Sequence, residues 1–221
     1  MTVGVLVPAA GLGLRLGEGE PKALRLLGGE PLLVHAVRGL RDVAEVGPVV
    51  VAAPAEDVAG VQALLAPYDV IVIAGGALRS ESVALALLAL PPGVELVLVH
   101  DAARCLTPPM VFTAVVAALR GGAQAVVPVL AVADTIKRVD GHRVLATVPR
   151  SDLRAAQTPQ GFRREVLELA HAGATDLHTD DAGMVEALGT AAVTVPGHGE
   201  AFKVTHPLDL LLAEAVLRER L

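Results

Sequence analysis

Short apolar runs and helical periodicities alternate along most of the chain. The runs have the length and the Val, Leu and Ile content of strands buried on both faces. Predicted strands cover Val3–Pro8, Pro48–Ala53, Asp69–Ala74, Glu95–His100, Ala125–Val129 and Ala192–Pro196. Predicted helices cover Pro31–Arg41, Glu56–Ala66, Ser80–Leu90, Pro109–Arg120, Arg163–His171, Asp180–Leu188 and Pro207–Arg220. This alternation is typical of an α/β protein with a doubly wound, mostly parallel, Rossmann-like sheet.

One segment departs from this rhythm. Asp134–Val148 alternates apolar and polar residues around Asp140-Gly141, a strong signal for a hairpin turn. It predicts a two-stranded β-arm that is inserted in the sheet domain and protrudes from it. Because the sequence shows no internal repeat and no low-complexity linker, we expect a single domain over residues 1–221, with the arm at 134–150.

Composition and charge exclude several classes of function. A net charge of −6 argues against a nucleic-acid binder that tracks phosphates. No stretch reaches the roughly 18 uncharged apolar residues of a membrane span, and no charged segment of a secretory signal precedes the first strand. The one cysteine, Cys105, cannot form an intramolecular disulfide, and we interpret it as a packing residue. We therefore expect a cytoplasmic protein. The histidines lack metal-ligand spacing, so no zinc site is predicted.

The loop after the first strand is the first candidate site, because ligands of open α/β sheets bind beyond the carboxyl ends of strands. Its small residues let backbone N–H groups surround a polyphosphate, and two early cations can neutralise charge at a phosphorus under in-line attack. The segment reads Pro8-Ala9-Ala10-Gly11-Leu12-Gly13-Leu14-Arg15, followed by Pro21-Lys22. Lys22 is one of only three lysines beside fifteen arginines. The glycine spacing differs by one residue from a dinucleotide fingerprint, and no Walker A sequence follows. A plain tight turn remains the alternative.

Later strand ends offer further candidates, each with a structural alternative. Gly75-Gly76 and Ser82 can read the edge of a base, or Ser80 can simply cap the following helix. Asp101 suits Mg²⁺ held jointly with substrate phosphates, or it caps a helix or pairs with an arginine. Lys203 lies between apolar neighbours, where a surface cation is less expected.

Seven motifs in order resemble one family, and they span nearly the whole chain. They are Val7-Pro8-Ala9-Ala10-Gly11-x-Gly13-x-Arg15, Pro21-Lys22, Gly75-Gly76-x-x-Arg79-x-x-Ser82, Val99-His100-Asp101-Ala102-Ala103-Arg104, Asp134-Thr135-x-Lys137, Thr158-Pro159-Gln160 and Lys203-Val204-Thr205. Together they resemble the 2-C-methyl-D-erythritol 4-phosphate cytidylyltransferase family of the non-mevalonate isoprenoid pathway. The resemblance implies that CTP and this small polyol phosphate give 4-diphosphocytidyl-2-C-methyl-D-erythritol and pyrophosphate with Mg²⁺, in a homodimer.

The resemblance also implies roles for individual residues. Arg15 and Lys22 stabilise the pentacoordinate α-phosphorus. The nucleotide is held by Pro8, Ala9, Ala10, Gly11, Leu12, Gly13, Gly76, Arg79, Ser82, Asp101 and Ala102. The acceptor is held by Asp101, Thr135, Arg150, Thr158, Thr179 and Lys203. Because the family's arm reaches across a homodimer, Arg150 can serve the partner's site. Asp101 is the candidate neighbour of the metal, which CTP phosphates mainly hold.

The chain departs from the family pattern at three places. Cys105 replaces a usual Pro, Ala77 replaces a residue that is often acidic, and Asp181-Ala182-Gly183 replaces Glu-Ala-Ser. Base contacts through the side chain at position 77 are therefore lost, whereas contacts through backbone remain. Three other functions stay open at this stage: a ribitol-5-phosphate cytidylyltransferase, an NAD-dependent oxidoreductase and a non-catalytic nucleotide sensor.

Overall fold

The structure, a computed structural model, describes residues 1–11, 13–16, 21–173 and 180–220. The strands in these ranges are β1 Thr2–Pro8, β2 Leu26–Leu27, β3 Glu30–Pro31, β4 Val46–Ala53, β5 Ile71–Ala74, β6 Val94–Val99, β7 Ala125–Ala131, β8 Ile136–Asp140, β9 Arg143–Val148, β10 Arg154–Ala156, β11 Gln160–Arg163 and β12 Ala192–Pro196. The α-helices are α1 Leu32–Arg41, α2 Val58–Leu64, α3 Arg79–Leu88, α4 Pro109–Arg120, α5 Arg164–Ala172, α6 Asp181–Ala187 and α7 Pro207–Glu219. None of the helices in these ranges is long and apolar enough to span a membrane.

The main sheet is mostly parallel, as the sequence predicts. Neighbouring strands follow the order β10, β7, β11, β6, β1, β4 and β5, and β12 also pairs with β7. Strand β1 pairs in parallel with both β4 and β6, which places the ends of the three strands at one edge. Strands β10 and β11 run antiparallel to their neighbours. This arrangement brings the loops after β1, β5 and β6 together.

Helices cover both faces of this sheet, which explains the near-continuous apolar strands. Alternate residues of β1 point to opposite faces, with Val5 in one core cluster and Leu6 in the other. Helices α1, α2 and α4 pack on the first face, and α3, α5 and α6 pack on the second. A third cluster joins α1 and α7 and contains Cys105. Burial raises the pKa of the Cys105 thiol to about 12, so this side chain is inert packing material.

The structure differs from the predicted pattern at two places. The sequence pattern predicts no strand over 154–163, yet β11 fills the centre of the sheet between β6 and β7. Its short Gln-Gly-Phe-Arg sequence carries no periodicity, and Gly161 is needed because a Cβ there would lie 2.4 Å from Val115 of α4. The predicted hairpin is present as β8 and β9, but Asp140 pairs with Arg143, so the turn is Gly141-His142.

Candidate active site

A cleft of about 210 Å³ opens at the carboxyl ends of β1, β5 and β6. It brings together residues from both ends of the sequence. The lining consists of Pro8, Ala9, Ala10, Gly11, Gly13, Arg15, Lys22, Ala23, Gly76, Ala77, Leu78, Arg79, Ser82, Asp101, Ala102, Ala103, Lys203 and Thr205. Most of the predicted nucleotide-binding residues therefore share one cleft, together with both predicted catalytic cations.

The first loop, which follows β1, contacts Lys22 at Gly13. The Ala9 N–H donates to the Ala52 carbonyl at 2.8 Å, which extends the parallel ladder into the loop. Gly13 then turns the chain with a positive φ of 66°, a conformation that side chains rarely adopt. A Cβ on Gly13 would lie 2.3 Å from the Cβ of Lys22. The glycine is thus required both for the turn and for the close approach of Lys22.

Three cations, Arg15, Lys22 and Lys203, lie close together in the cleft, although the chain as a whole is acidic. Burial and, to a smaller extent, the neighbouring Lys203 and Arg15 together lower the pKa of Lys22 to about 8, against the opposing effect of Asp101. Because its surroundings disfavour the charged form of Lys22, any anion that enters the cleft stabilises that form. The cleft is therefore prepared for a polyanionic ligand before one binds.

The second loop, which follows β5 and contains Gly76–Leu78, is held in shape by Ser82, which is almost fully buried. Its hydroxyl accepts from the Gly76 N–H at 3.1 Å and donates to the Leu78 carbonyl at 3.1 Å. Helix α3 begins at Arg79, and the Glu81 carboxylate accepts from the Leu78 N–H, so Ser80 is not its cap. Ser82 thus positions the Gly76–Leu78 backbone against the cleft, and the hydroxyl that we expected to read a base is engaged within the loop.

Asp101 lies in the third loop, which follows β6, and its carboxylate pairs with two cations. One carboxylate oxygen accepts from Arg79 Nε at 3.0 Å and the other lies 2.7 Å from Lys203 Nζ. Burial raises the pKa of Asp101, but the two cations outweigh it and hold the pKa well below its usual range. Arg104 takes no part in this pair and donates instead to the carbonyls of Ala201 and Ala156.

Thr158 supports the third loop through a hydrogen bond to its backbone and does not line the cleft. Its hydroxyl oxygen accepts from the Asp101 N–H at 3.0 Å and lies 3.2 Å from His100 Nδ1. Burial lowers the pKa of His100 to about 4, and the ring packs against Phe112. Thr158 therefore has a positioning role, its acceptor contact stays a prediction, and His100 is a neutral structural residue near pH 7.

Two other predicted residues, Thr135 and Arg150, do not line the cleft of their own chain. Thr135 and Arg150 lie at the exposed base of the arm, where Arg150 donates to the Ala133 carbonyl. Leu12 and Thr179 lie outside the described residues. Asp181, a buried acid that contacts Arg79, was given no role from the sequence, which marked it only as a helix start and as the replacement of a usual Glu of the family.

Few side chains in the described ranges could coordinate magnesium. No group of three His, Cys, Asp or Glu side chains there could hold a metal ion. Asp101 is a single carboxylate, and both of its oxygens already interact with cations. The residues present thus fit a metal that is held mainly by a triphosphate, with Asp101 as a neighbour at most.

Comparisons with known proteins identify the family of this chain. A family model described as 2-C-methyl-D-erythritol 4-phosphate cytidylyltransferase matches residues 3–219. Proteins of that name from Saccharopolyspora erythraea and Streptomyces avermitilis are 56% and 54% identical to the chain. The alignments cover 98% of this chain and 100% of the first relative, and 97% and 91% for the second.

A solved structure gives the same result for the fold. The chain is similar to the crystal structure of the 2-C-methyl-D-erythritol 4-phosphate cytidylyltransferase of Thermus thermophilus, with 39% identity and a TM-score of 0.78. The match covers 99% of this chain and 100% of the other. The comparisons thus identify a nucleotidyltransferase, in place of the alternative of an NAD-dependent oxidoreductase. The chain belongs to the 2-C-methyl-D-erythritol 4-phosphate cytidylyltransferase family.

Proposed function

We propose that this chain transfers the cytidylyl group of CTP to 2-C-methyl-D-erythritol 4-phosphate, giving 4-diphosphocytidyl-2-C-methyl-D-erythritol and pyrophosphate. The observation that carries the proposal is the convergence of a glycine turn, Arg15 and a Lys22 of lowered pKa beside the Asp101–Lys203 pair. The glycine turn, Arg15 and Lys22 suit a triphosphate. The Asp101–Lys203 pair offers a cation to a phosphate monoester.

The geometry suits direct in-line displacement. An acceptor phosphate oxygen attacks the α-phosphorus, the bond from that phosphorus to the bridging oxygen of the β-phosphate breaks, and pyrophosphate leaves with the electron pair. Arg15 and Lys22 stabilise the charge that develops on the five-coordinate phosphorus. A phosphate monoester is already an anion near neutral pH, so no general base is needed. The buried, neutral His100 is not suited to be one.

Magnesium, when bound, would neutralise and orient the triphosphate. This chain's own residues hold the remaining charge. Arg15 and Lys22 face the nucleotide phosphates, and Lys203 turns from Asp101 toward the acceptor phosphate while Arg79 keeps Asp101 neutralised. Backbone groups of the first loop and of Gly76–Leu78 bind the nucleotide. Thr179 remains a predicted acceptor contact.

A homodimer completes this proposal. The arm formed by β8 and β9 is exposed along its length, and its side chains Val139, Val144 and Leu145 are each more than half exposed. Apolar residues on an isolated hairpin favour burial against a second copy. We propose that Thr135 and Arg150 of one protomer serve the partner's cleft, and that the enzyme acts in the cytoplasm, where a reduced Cys105 is expected.

Complementation between variants tests the dimer. Arg150→Ala is expected to raise the KM for the acceptor at least tenfold and to leave the Kd for CTP unchanged, because Arg150 lies away from the cleft of its own chain. Mixed and re-equilibrated with an inactive Lys22→Met variant, it should recover about a quarter of wild-type activity, since half the dimers gain one intact site. An unchanged KM, or a mixture no more active than Arg150→Ala alone, would contradict a shared site.

The lowered pKa of Lys22 predicts a pH dependence. Lys22 loses its charge as the pH rises through about 8 in the free enzyme, so kcat/KM for CTP should fall above that pH. The limb in kcat should lie at higher pH, because bound triphosphate favours the protonated amine. Lys22→Arg should be slower but show no limb near pH 8, since guanidinium stays protonated. A limb of equal position in Lys22→Arg would assign it to another group.

The function is tested by pyrophosphate release. With CTP, Mg²⁺ and 2-C-methyl-D-erythritol 4-phosphate, we expect steady turnover, and with ATP, GTP or UTP we expect far less. Ribitol 5-phosphate is the matched acceptor control. Exclusive use of ribitol 5-phosphate would reject the proposed acceptor, and CTP binding without pyrophosphate release would indicate a nucleotide sensor.

A further inference from the structure

A second carboxylate lies behind the cleft and shares Arg79 with Asp101. Arg79 donates from Nε to Asp101 at 3.0 Å and from Nη1 to Asp181 at 2.7 Å. His171 Nε2 lies 3.1 Å from the other oxygen of Asp181. The side-chain exposure falls from 38% at Lys203 to 0% at Asp181. A continuous line of charged groups therefore runs from the cleft into the protein interior.

The fold fixes Asp181 tightly in this place. Gln160, the first residue of β11, donates to Asp180 at 2.6 Å and accepts from the Ala182 N–H at 3.1 Å. Asp180 in turn caps α6 by accepting from the Gly183 N–H. Gln160 also pairs with Val99, the last residue of β6, two positions before Asp101. The positions of Asp101 and Asp181 are therefore both fixed relative to Gln160 at the start of β11.

His171 anchors the far end of the line. It lies near the end of α5, and its side chain is 7% exposed. It holds one oxygen of Asp181, which leaves the other oxygen directed at Arg79. Burial raises the pKa of Asp181, but His171 and Arg79 outweigh it and keep the carboxyl ionised. Arg79 consequently has a fixed anionic partner on the side away from the cleft.

We propose that Asp181 and His171 are positioning residues of the transferase reaction, which act through Arg79 on Asp101 and thereby on Lys203. The Arg79 side chain is tied at two points, so its Nε is oriented for one oxygen of Asp101, and the second oxygen is left for Lys203. When Lys203 turns to an incoming phosphate, Arg79 still neutralises Asp101. The effect on turnover rests on the proposed function; the coupling between the residues does not.

The first test is a double-mutant cycle on pyrophosphate release. Asp181→Asn should lower kcat/KM for the acceptor about tenfold, and His171→Gln by less, because a misplaced group near the reacting atoms slows the reaction strongly. Asp181→Glu, which keeps the charge, should retain most activity. In an Asp101→Asn background, Asp181→Asn should change kcat/KM by no more than about twofold, as expected for residues that act in series. Glu186→Gln, an exposed acid of the same helix, is the control. Fully additive losses would overturn the proposal.

A second readout needs no activity. The chain has only three lysines, so ¹³C-methylation of the lysine amines gives few signals, and the Lys203 signal is identified by its loss in Lys203→Arg. Asp181→Asn should shift that signal, and Glu186→Gln should not. A folded Asp181→Asn protein with an unmoved Lys203 signal would reject the coupling. Absence of turnover in the wild type would count against the proposed function, and the lysine signals would still decide this inference.

Discussion

Replacement of Lys22 by methionine is expected to lower kcat about a thousandfold while changing the Kd for CTP only a few-fold. The side chain lies beside the Gly13 turn in a cationic part of the cleft, where its charge is costly until negative charge gathers. A five-coordinate phosphorus carries more charge near the lysine than the bound nucleotide does. The loss therefore corresponds to transition-state stabilisation of about 4 kcal/mol, within the range of a single preorganised charge donor.

Kinetics and calorimetry together check this result. Single-turnover rates give the chemical step, and titration calorimetry gives the Kd for CTP. Arg120→Met, which removes a charge from the exposed end of α4, is the control and should leave both values near the wild type. Equal losses in kcat and in CTP affinity would mean that Lys22 binds the ground state.

The same substitution should not destabilise the free protein. The folded pKa of Lys22, about 8, lies below its ordinary value of 10.5, so the unfolded chain binds the proton more tightly. Charging Lys22 thus opposes folding below pH 8, and this penalty disappears as the pH rises toward 10.5. Lys22→Met removes it, and the Tm at pH 7 should stay equal or rise. Loss of activity with a retained Tm separates a catalytic role from a structural one.

Asp101→Asn is expected to lower kcat/KM for the acceptor about a hundredfold. The asparagine keeps the shape but leaves the Arg79 guanidinium and Lys203 ammonium without their shared anion. The two cations then repel each other, and Lys203 is no longer held at the cleft mouth. Misplacement of one group by about 1 Å suffices for a loss of this size.

Stability should fall as well, in contrast to the Lys22 variant. Asp101 has a folded pKa below its ordinary value, so its ionisation stabilises the fold above the unfolded pKa of 3.8, and this contribution is lost as the pH falls through the folded pKa. At pH 7 the contribution is complete, and Asp101→Asn should therefore lower the Tm by several degrees. Asp42→Asn, at the exposed end of α1, is the control. An active Asp101→Asn enzyme would remove this residue from the site.

The sheet was predictable because its strands are buried on both faces. Val3–Pro8 and the Leu96–Val99 part of Glu95–His100 are continuous apolar runs, and such runs have few alternatives to a parallel strand. Strand β11 could not be predicted from its own residues. Gln160–Arg163 has no apolar periodicity and becomes a strand because the space between β6 and β7 admits only a short segment with glycine against α4.

The candidate site was predictable where function depends on strand ends and on rare residue types. Lys22 and Lys203 were selected as candidates because lysine is scarce in this chain, and both line the cleft. The positioning role of Thr158 could not be predicted, because its hydroxyl accepts from the Asp101 backbone N–H, a contact across 57 residues. Asp181 was missed for the same reason: only the packing of α6 on β11 brings it to Arg79.

A crystal soaked with CTP and Mg²⁺ would show where the nucleotide binds. We expect the α-phosphorus between Arg15 and Lys22, the triphosphate against the backbone of residues 8–13, and the cytosine beside Gly76–Leu78. A nucleotide bound away from residues 8–22 would contradict it.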